Sequence, residues 1–192
     1  LAAYHLLKMG EYKIGTLNGR LPFSSIMTTR GCPWKCIFCA SEQLETTKMH
    51  KRSIKSIVDE MQHVVETYNV RHFAFLDDVL TLVRKRTVEM CNEIINRKLN
   101  ITFEGGTRAN LLDDELVALM KKAGLLRLSF GLETVDEDMR TTMNKKVPLE
   151  AYAESNAILN KHDVEAMNSV MIGLPGETEE NVWKTLNFLS KA

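Results

Sequence analysis

Cys32, Cys36 and Cys39 place three of the chain's four thiols inside eight residues, in the stretch TTRGCPWKCIFCAS from Thr28 to Ser41. Thiolates are soft donors suited to zinc and to iron–sulfur clusters. A structural zinc site closes with four ligands, and the nearest further candidate, His50, lies eleven residues beyond Cys39, outside the usual spacing. A [4Fe-4S] cube normally takes four thiolates. Three leave one iron open, and an open iron can bind a small molecule directly. Gly31 and Pro33 keep the segment irregular enough to wrap around such an object. The fourth thiol, Cys91, sits on an apolar stripe with Val88 and Ile95 and reads as a core residue.

The rest of the composition narrows the function class. Four cysteines in 192 residues are not a disulfide framework. The N-terminus shows no signal-peptide pattern, so the thiols point to a reducing, cytoplasmic setting. The chain begins without Met, which suggests a piece of something longer. Formal net charge is zero, which gives no footprint for nucleic acid or an anionic membrane surface. No apolar run approaches the ~20 residues of a spanning helix.

The elements that must position the cysteines repeat. Residues 1–24 read as a linker or N-terminal cap, and 25–192 as one domain. From Ser25 on, a short apolar run is followed by a helical stretch, five times over. SSIMTTRG, HFAFLDD, NITFEGG, LRLSFGLE and EAMNSVMIGLPGE read as strands with their exit loops. Between the first two, Ile54, Ile57, Val58, Met61, Val64, Val65 and Tyr68 mark a helix with Ser53 as its cap. Asp113 and Thr178 cap later helices, Gly124 ends one, and Pro148 restarts a broken region near 135–160. Five strand–helix units predict an α/β fold with a parallel sheet, doubly wound or curved toward a barrel. The runs FAFL and SVMIG suggest strands buried on both faces. A complete eight-unit barrel needs ~250 residues, so a barrel here would be partial.

Polar residues and glycines collect where the strands end: the cysteines after the first, Asp77 and Asp78 after the second, Arg108 after the third, Gly131 and Glu133 at the fourth, Gly173 after the fifth. Parallel α/β folds build their sites on that edge. Each member also has a bland alternative. Asp77 and Asp78 could cap the next helix. Arg108 and Glu133 could form a bridge across the strand ends. Trp34 and Phe38 could simply pack the loop, and Lys48, Lys51 and Arg52 could be a solvated patch.

The segment CPWKCIFC, with Phe38 as the aromatic before the last cysteine, resembles the C-x3-C-x-Φ-C signature of radical S-adenosylmethionine (SAM) enzymes. The resemblance runs from Ser25 to the C-terminus. SIMTTRGCPWKCIFCAS, FLDD and VMIGLPGETEE look most like the branch that often carries a cobalamin-binding domain upstream, to which the anaerobic magnesium-protoporphyrin ester cyclases belong. It implies a partial (βα)6 barrel, here lacking a sixth strand, with a [4Fe-4S] cluster held by Cys32, Cys36 and Cys39 and SAM chelating the open iron. One-electron cleavage of SAM would then start radical chemistry on a small-molecule substrate, with a reductant such as flavodoxin or ferredoxin, and with cobalamin, if used, on a domain outside this chain. Asp77 or Asp78 would receive the SAM amino group and Arg108 its carboxylate. Glu133 would accept ribose hydroxyls or the amino group. Met171, Ile172 and Gly173 would lie against adenine, although only the last glycine of the family's G-x-I-x-G motif is kept. Phe38 would shield the cluster. Two other classes stay open: a radical SAM methylthiotransferase core, and a zinc-stabilised, non-catalytic α/β binding module.

Overall fold

The computed structural model describes residues 2–12, 22–44 and 48–191. Strand β1 (Phe23–Ile26) leads into a two-residue strand, β2 (Thr29–Arg30), and the cysteine loop follows. After the loop come α1 (Ser41–Leu44), β3 (His50–Lys51) and α2 (Ile54–Tyr68). The remaining units are β4 (His72–Phe75) and α3 (Arg84–Asn96), β5 (Thr102–Thr107) and α4 (Asp114–Ala123), then β6 (Leu125–Glu133). Two helices, α5 (Glu137–Thr142) and α6 (Leu149–Lys161), precede β7 (Glu165–Val170) and α7 (Glu179–Leu189).

The caps form where local chemistry directs them. Ser53 accepts from Ser56 N–H, Asp113 from Leu116 N–H and Thr178 from Asn181 N–H, satisfying donors that the first helical turn leaves unpaired. Gly124 closes α4.

One sheet holds five parallel strands in the order β1-β4-β5-β6-β7. That order runs along the chain without reversal. A doubly wound sheet reverses its order part-way, whereas sequential order with right-handed crossovers sends every helix to one face and curves the sheet as barrels do. The sheet therefore belongs to a partial barrel, and among the described residues it ends at β7. The face toward the helices carries Phe73, Phe75, Phe103, Leu128 and Phe130, all buried with Ile57, Met61, Ile94 and Leu116 in one core. The opposite face carries Ala74, Glu104, Gly106 and Ser129, each only half-buried.

Burial on both faces, expected from FAFL and SVMIG, does not occur: in β4, Ala74 between the buried Phe73 and Phe75 is only half-buried, and Leu76 after them is exposed. No residue of β7 is fully buried, because one of its edges lacks a partner among the described residues and its inward face opens to the concave side. Two features had no sequence forecast. β2 and β3 pair antiparallel, Thr29 with Lys51 and Arg30 with His50, and clip the root of the cysteine loop to the approach of α2. Near the N-terminus, Tyr4 and Met9 are buried, and the Tyr4 hydroxyl donates to Glu60 Oε1 at 2.8 Å.

Candidate functional site

The three cysteines lie on the loop leaving β2, at the C-terminal edge of the sheet. All are free thiols; Cys32 and Cys36 are half-buried and Cys39 is exposed. Gly31, at φ 103°, turns the backbone into the loop. Burial pushes the Cys32 thiol up, the charge of Asp78 adds to this, and Arg108 opposes it.

The two acids after β4 divide the work. Asp77 is buried and already saturated. Its Oδ1 accepts Thr28 N–H at 2.7 Å, and its Oδ2 accepts Thr29 N–H at 3.0 Å, Thr29 Oγ1 at 2.8 Å and the Thr28 hydroxyl. It fastens the chain that enters the loop. Asp78 is exposed toward the cysteines. Its Oδ2 accepts Gly31 N–H at 3.0 Å and its Oδ1 accepts Ser41 Oγ at 2.9 Å, so it clasps the loop before Cys32 and after Cys39. Neither acid caps a helix, since α3 begins six residues later at Arg84 with Val83 as its cap.

The other side of the loop is held by a segment that sequence reading missed, Met143 to Lys146. Met143 O accepts Ile37 N–H at 3.2 Å, Asn144 Nδ2 donates to Lys35 O at 2.7 Å, and Cys36 Sγ lies 3.7 Å from Asn144 O. Asn144, at φ 54°, terminates α5 in a Schellman motif: its N–H reaches Thr141 O and Lys145 N–H reaches Arg140 O. This turn aims Lys145 inward. Asn just past a helix is a readable signal for such a turn, but nothing in NKK marks Lys145 as internal.

Lys145 Nζ stands 3.2 Å from Glu133 Oε1, with side chains only 9% and 11% exposed, and 5.6 Å from the centre of the Phe38 ring. Glu133 occupies a register shift in the β6–β7 pairing with φ 66°, a bulge that re-aims its carboxylate. Gly131 leaves the space that this carboxylate fills.

Arg108 is 8% exposed. Its Nη2 donates to Lys146 O at 3.1 Å, its guanidinium stacks 4.0 Å from the Trp34 ring centre, and its Nε has no partner among the described residues. The expected alternative of an Arg108–Glu133 bridge is replaced by these separate partners, and Trp34 covers the arginine. Met171 N–H donates to Glu133 O at 2.9 Å, which places the fifth strand exit beside the fourth. Gly173 follows at φ 89°, its N–H donating to Glu177 Oε2 at 2.6 Å.

A profile of the radical SAM superfamily matches residues 26–189. The chain belongs to this superfamily. Among curated relatives of this radical SAM chain, an uncharacterized methyltransferase of Pyrococcus horikoshii is 28% identical over 191 residues, covering 100% of this chain and 41% of the relative. The anaerobic magnesium-protoporphyrin IX monomethyl ester cyclase of Rubrivivax gelatinosus is 29% identical over 183 residues, covering 94% and 32%. The chain thus spans less than half the length of either. Among solved structures, the radical SAM methyltransferase TsrM from Kitasatospora setae, with tryptophan and a SAM analogue bound, aligns with a TM-score of 0.82 at 19% identity, over 88% of this chain and 34% of that one. That similarity establishes a shared radical SAM fold.

The donor set of this radical SAM domain fits a cluster. Three thiols free of disulfides share one loop, and the buried Arg108 Nε has no acceptor among the described residues. Among the described residues no three His, Cys, Asp or Glu side chains converge on a single ion. A cube does not require such convergence, because each thiolate binds its own iron.

Proposed function

We propose that this chain is the catalytic core of a radical SAM enzyme of the cobalamin-associated branch, acting on a small-molecule substrate. Cys32, Cys36 and Cys39 would hold three irons of a [4Fe-4S] cluster, and SAM would complete the fourth. When bound, these cofactors supply one-electron cleavage of a C–S bond and so a radical able to take hydrogen from an unreactive carbon. The chain's own residues bind and orient. Asp78 rather than Asp77 is the acceptor for the SAM amino group, because Asp77 has spent its lone pairs on Thr28 and Thr29. Glu133 supplies the second acceptor. Arg108 offers its free Nε to the carboxylate, a charge-assisted contact. Met171 and Ile172 give adenine an apolar face beside Gly173, and Phe38 keeps water from the cluster.

The observation that carries this proposal is the clasping of one three-thiol loop from two sides, by Asp77 and Asp78 on one and by residues 143–146 on the other. The names of the relatives, methyltransferases and ester cyclases, support the branch. A flavodoxin or ferredoxin would deliver the electron. The test is conversion of SAM to 5′-deoxyadenosine or S-adenosylhomocysteine by anaerobically reconstituted, reduced protein. Cys36→Ala is expected to abolish turnover, and full activity in that variant would refute the assignment.

A further inference from the structure

Gly106 is a glycine that neither its backbone nor its packing requires. It lies inside β5, where glycine weakens a strand. Its φ is not positive. A Cβ there would meet only Ser129 Oγ, at 3.4 Å, an ordinary contact. Gly105 differs, since a Cβ on it would press to 2.9 Å from Leu80 and 3.3 Å from Phe75. Gly106 faces the concave side with Glu104, and Arg108, in extended backbone at φ −100° and ψ 136°, continues that alternation. Leu76 extends β4 by donating its N–H to Ile26 O, one step beyond the Phe75–Gly105 pair. Gly106 pairs with Ser129, and Ser129 with Met167. One row across the concave face therefore reads Leu76, Gly106, Ser129, Met167. Its two large apolar side chains are 56% and 45% exposed. They stand three strand spacings apart, about 14 Å, with only small residues between.

The row below is charged. Arg127 Nη2 donates to both oxygens of Glu165, at 2.8 and 3.0 Å, and its Nη1 reaches Glu104 Oε2 at 3.4 Å. Two carboxylates thus share one guanidinium, which leaves a net negative charge. Burial pushes the Glu104 carboxyl up and Arg127 opposes this, so a donor arriving at Glu104 stabilises its charged form. Ser129 Oγ gives its proton to Gly105 O at 3.3 Å and keeps its lone pairs. Above the row, Arg108 is buried and its Nε has no partner among the described residues. Alternate residues of a strand lie about 7 Å apart, so a molecule seated on Gly106 reaches the group held at Arg108.

We infer that Gly106 opens a seat for the substrate, and that this seat takes a flat apolar body carrying an amine or ring N–H donor directed at Glu104. The inference rests on the reading that SAM is held at this sheet edge. The bare strand at Gly106 lets a ring lie flat, Leu76 and Met167 flank it, and Glu104 and Ser129 accept from its polar end.

The test uses anaerobically reconstituted protein with SAM and two probes that share one ring system, naphthylmethylamine and naphthoate, followed by equilibrium dialysis. Wild type is expected to bind the amine about tenfold more tightly than the acid, the scale of one charge-assisted hydrogen bond. Gly106→Val is expected to hold or raise the thermal midpoint, because a β-branched residue suits a strand better than glycine. The same variant should keep its SAM affinity and lose about tenfold in amine binding, as a filled apolar site does. Glu104→Gln should still bind the ring but lose most of the preference for the amine. A lowered midpoint in Gly106→Val shows that packing needs the glycine and overturns the inference. So does amine binding unchanged by that substitution, a preference that survives Glu104→Gln, or a wild type that binds the amine no better than the acid. The underlying reading fails separately. Wild type that neither binds SAM nor yields 5′-deoxyadenosine or S-adenosylhomocysteine removes the radical SAM assignment, whereas normal SAM turnover with probe binding indifferent to Gly106→Val removes the seat alone.

Discussion

Gly131 and Glu133 share one volume: a Cβ on Gly131 would collide with the carboxylate oxygen Oε1 of Glu133 and stand 3.0 Å from Lys145 Nζ. The Tyr152 hydroxyl fixes the same point of β6 by donating to Gly131 O at 2.7 Å, so the strand is not free to retreat. Gly131→Ala must therefore push the Glu133–Lys145 pair apart. The expected cost is about 1–3 kcal/mol of stability, typical of overpacking, together with weakened SAM binding. Urea unfolding and equilibrium dialysis read the two effects, and an Ala variant with wild-type SAM affinity would contradict the placement of Glu133.

Lys145 and Glu133 neutralise each other away from water. Lys145→Met leaves a buried carboxylate unpaired, and loss of one partner of such a pair costs about 3 kcal/mol or more. Adding Glu133→Gln should recover part of that loss, giving a coupling energy on the order of 1–3 kcal/mol in a double-mutant cycle. Additive effects of the two substitutions would show that the pair does not interact.

Asp77 and Asp78, adjacent in sequence, should fail differently. Asp77→Asn turns an amide donor toward Thr28 and Thr29 and is expected to cost about 2 kcal/mol of stability, the penalty of buried groups left unsatisfied. Asp78→Asn should stay within about 1 kcal/mol of wild type, as substitutions at exposed sites do, yet lose SAM affinity. Thermal unfolding paired with ligand binding separates them, and a reversed pattern would exchange their roles.

Such division of labour explains what the sequence could and could not disclose. Ser53, Asp113, Thr178 and Gly124 were readable because a cap is a contact between a side chain and its own neighbouring backbone. The superfamily was readable from the cysteine spacing because that signature is local, confined to eight residues of sequence. Asp77 and Asp78 could not be told apart, since the choice depends on Thr28 and Thr29, some fifty residues earlier. Lys145 was invisible for the same reason: its internal role comes from the turn at Asn144 meeting a bulge at Glu133. β7 misled because SVMIG has the apolar character of a central strand, while its exposure is set by what lies beside it. Sequential strand order, which distinguishes a barrel from a doubly wound sheet, leaves no local trace in composition.

Acid should weaken the fold through identifiable carboxylates. Lys55 and then Arg97 hold Asp59 below its usual range, and Lys161 and then His162 do so for Asp114. Groups with a depressed folded pKa contribute stability above the unfolded value, about 4 for Asp, and lose it as pH falls through the folded value. The urea midpoint of wild type should exceed that of an Asp59→Asn/Asp114→Asn variant at pH 6, and the gap should close toward pH 3. A gap unchanged by pH would contradict the assignment. Asp114 is exposed and Asp59 half-exposed, so added salt should narrow the gap as well.

The central claim is that Cys32, Cys36 and Cys39 together grip one iron–sulfur cube, and the most direct measurement is the iron and acid-labile sulfide content of anaerobically reconstituted protein. The prediction is about four of each per chain, falling together when any one of the three cysteines becomes alanine and unchanged in Cys91→Ala. About one zinc per chain without sulfide, or a full iron and sulfide content in a variant lacking all three cysteines, would contradict it.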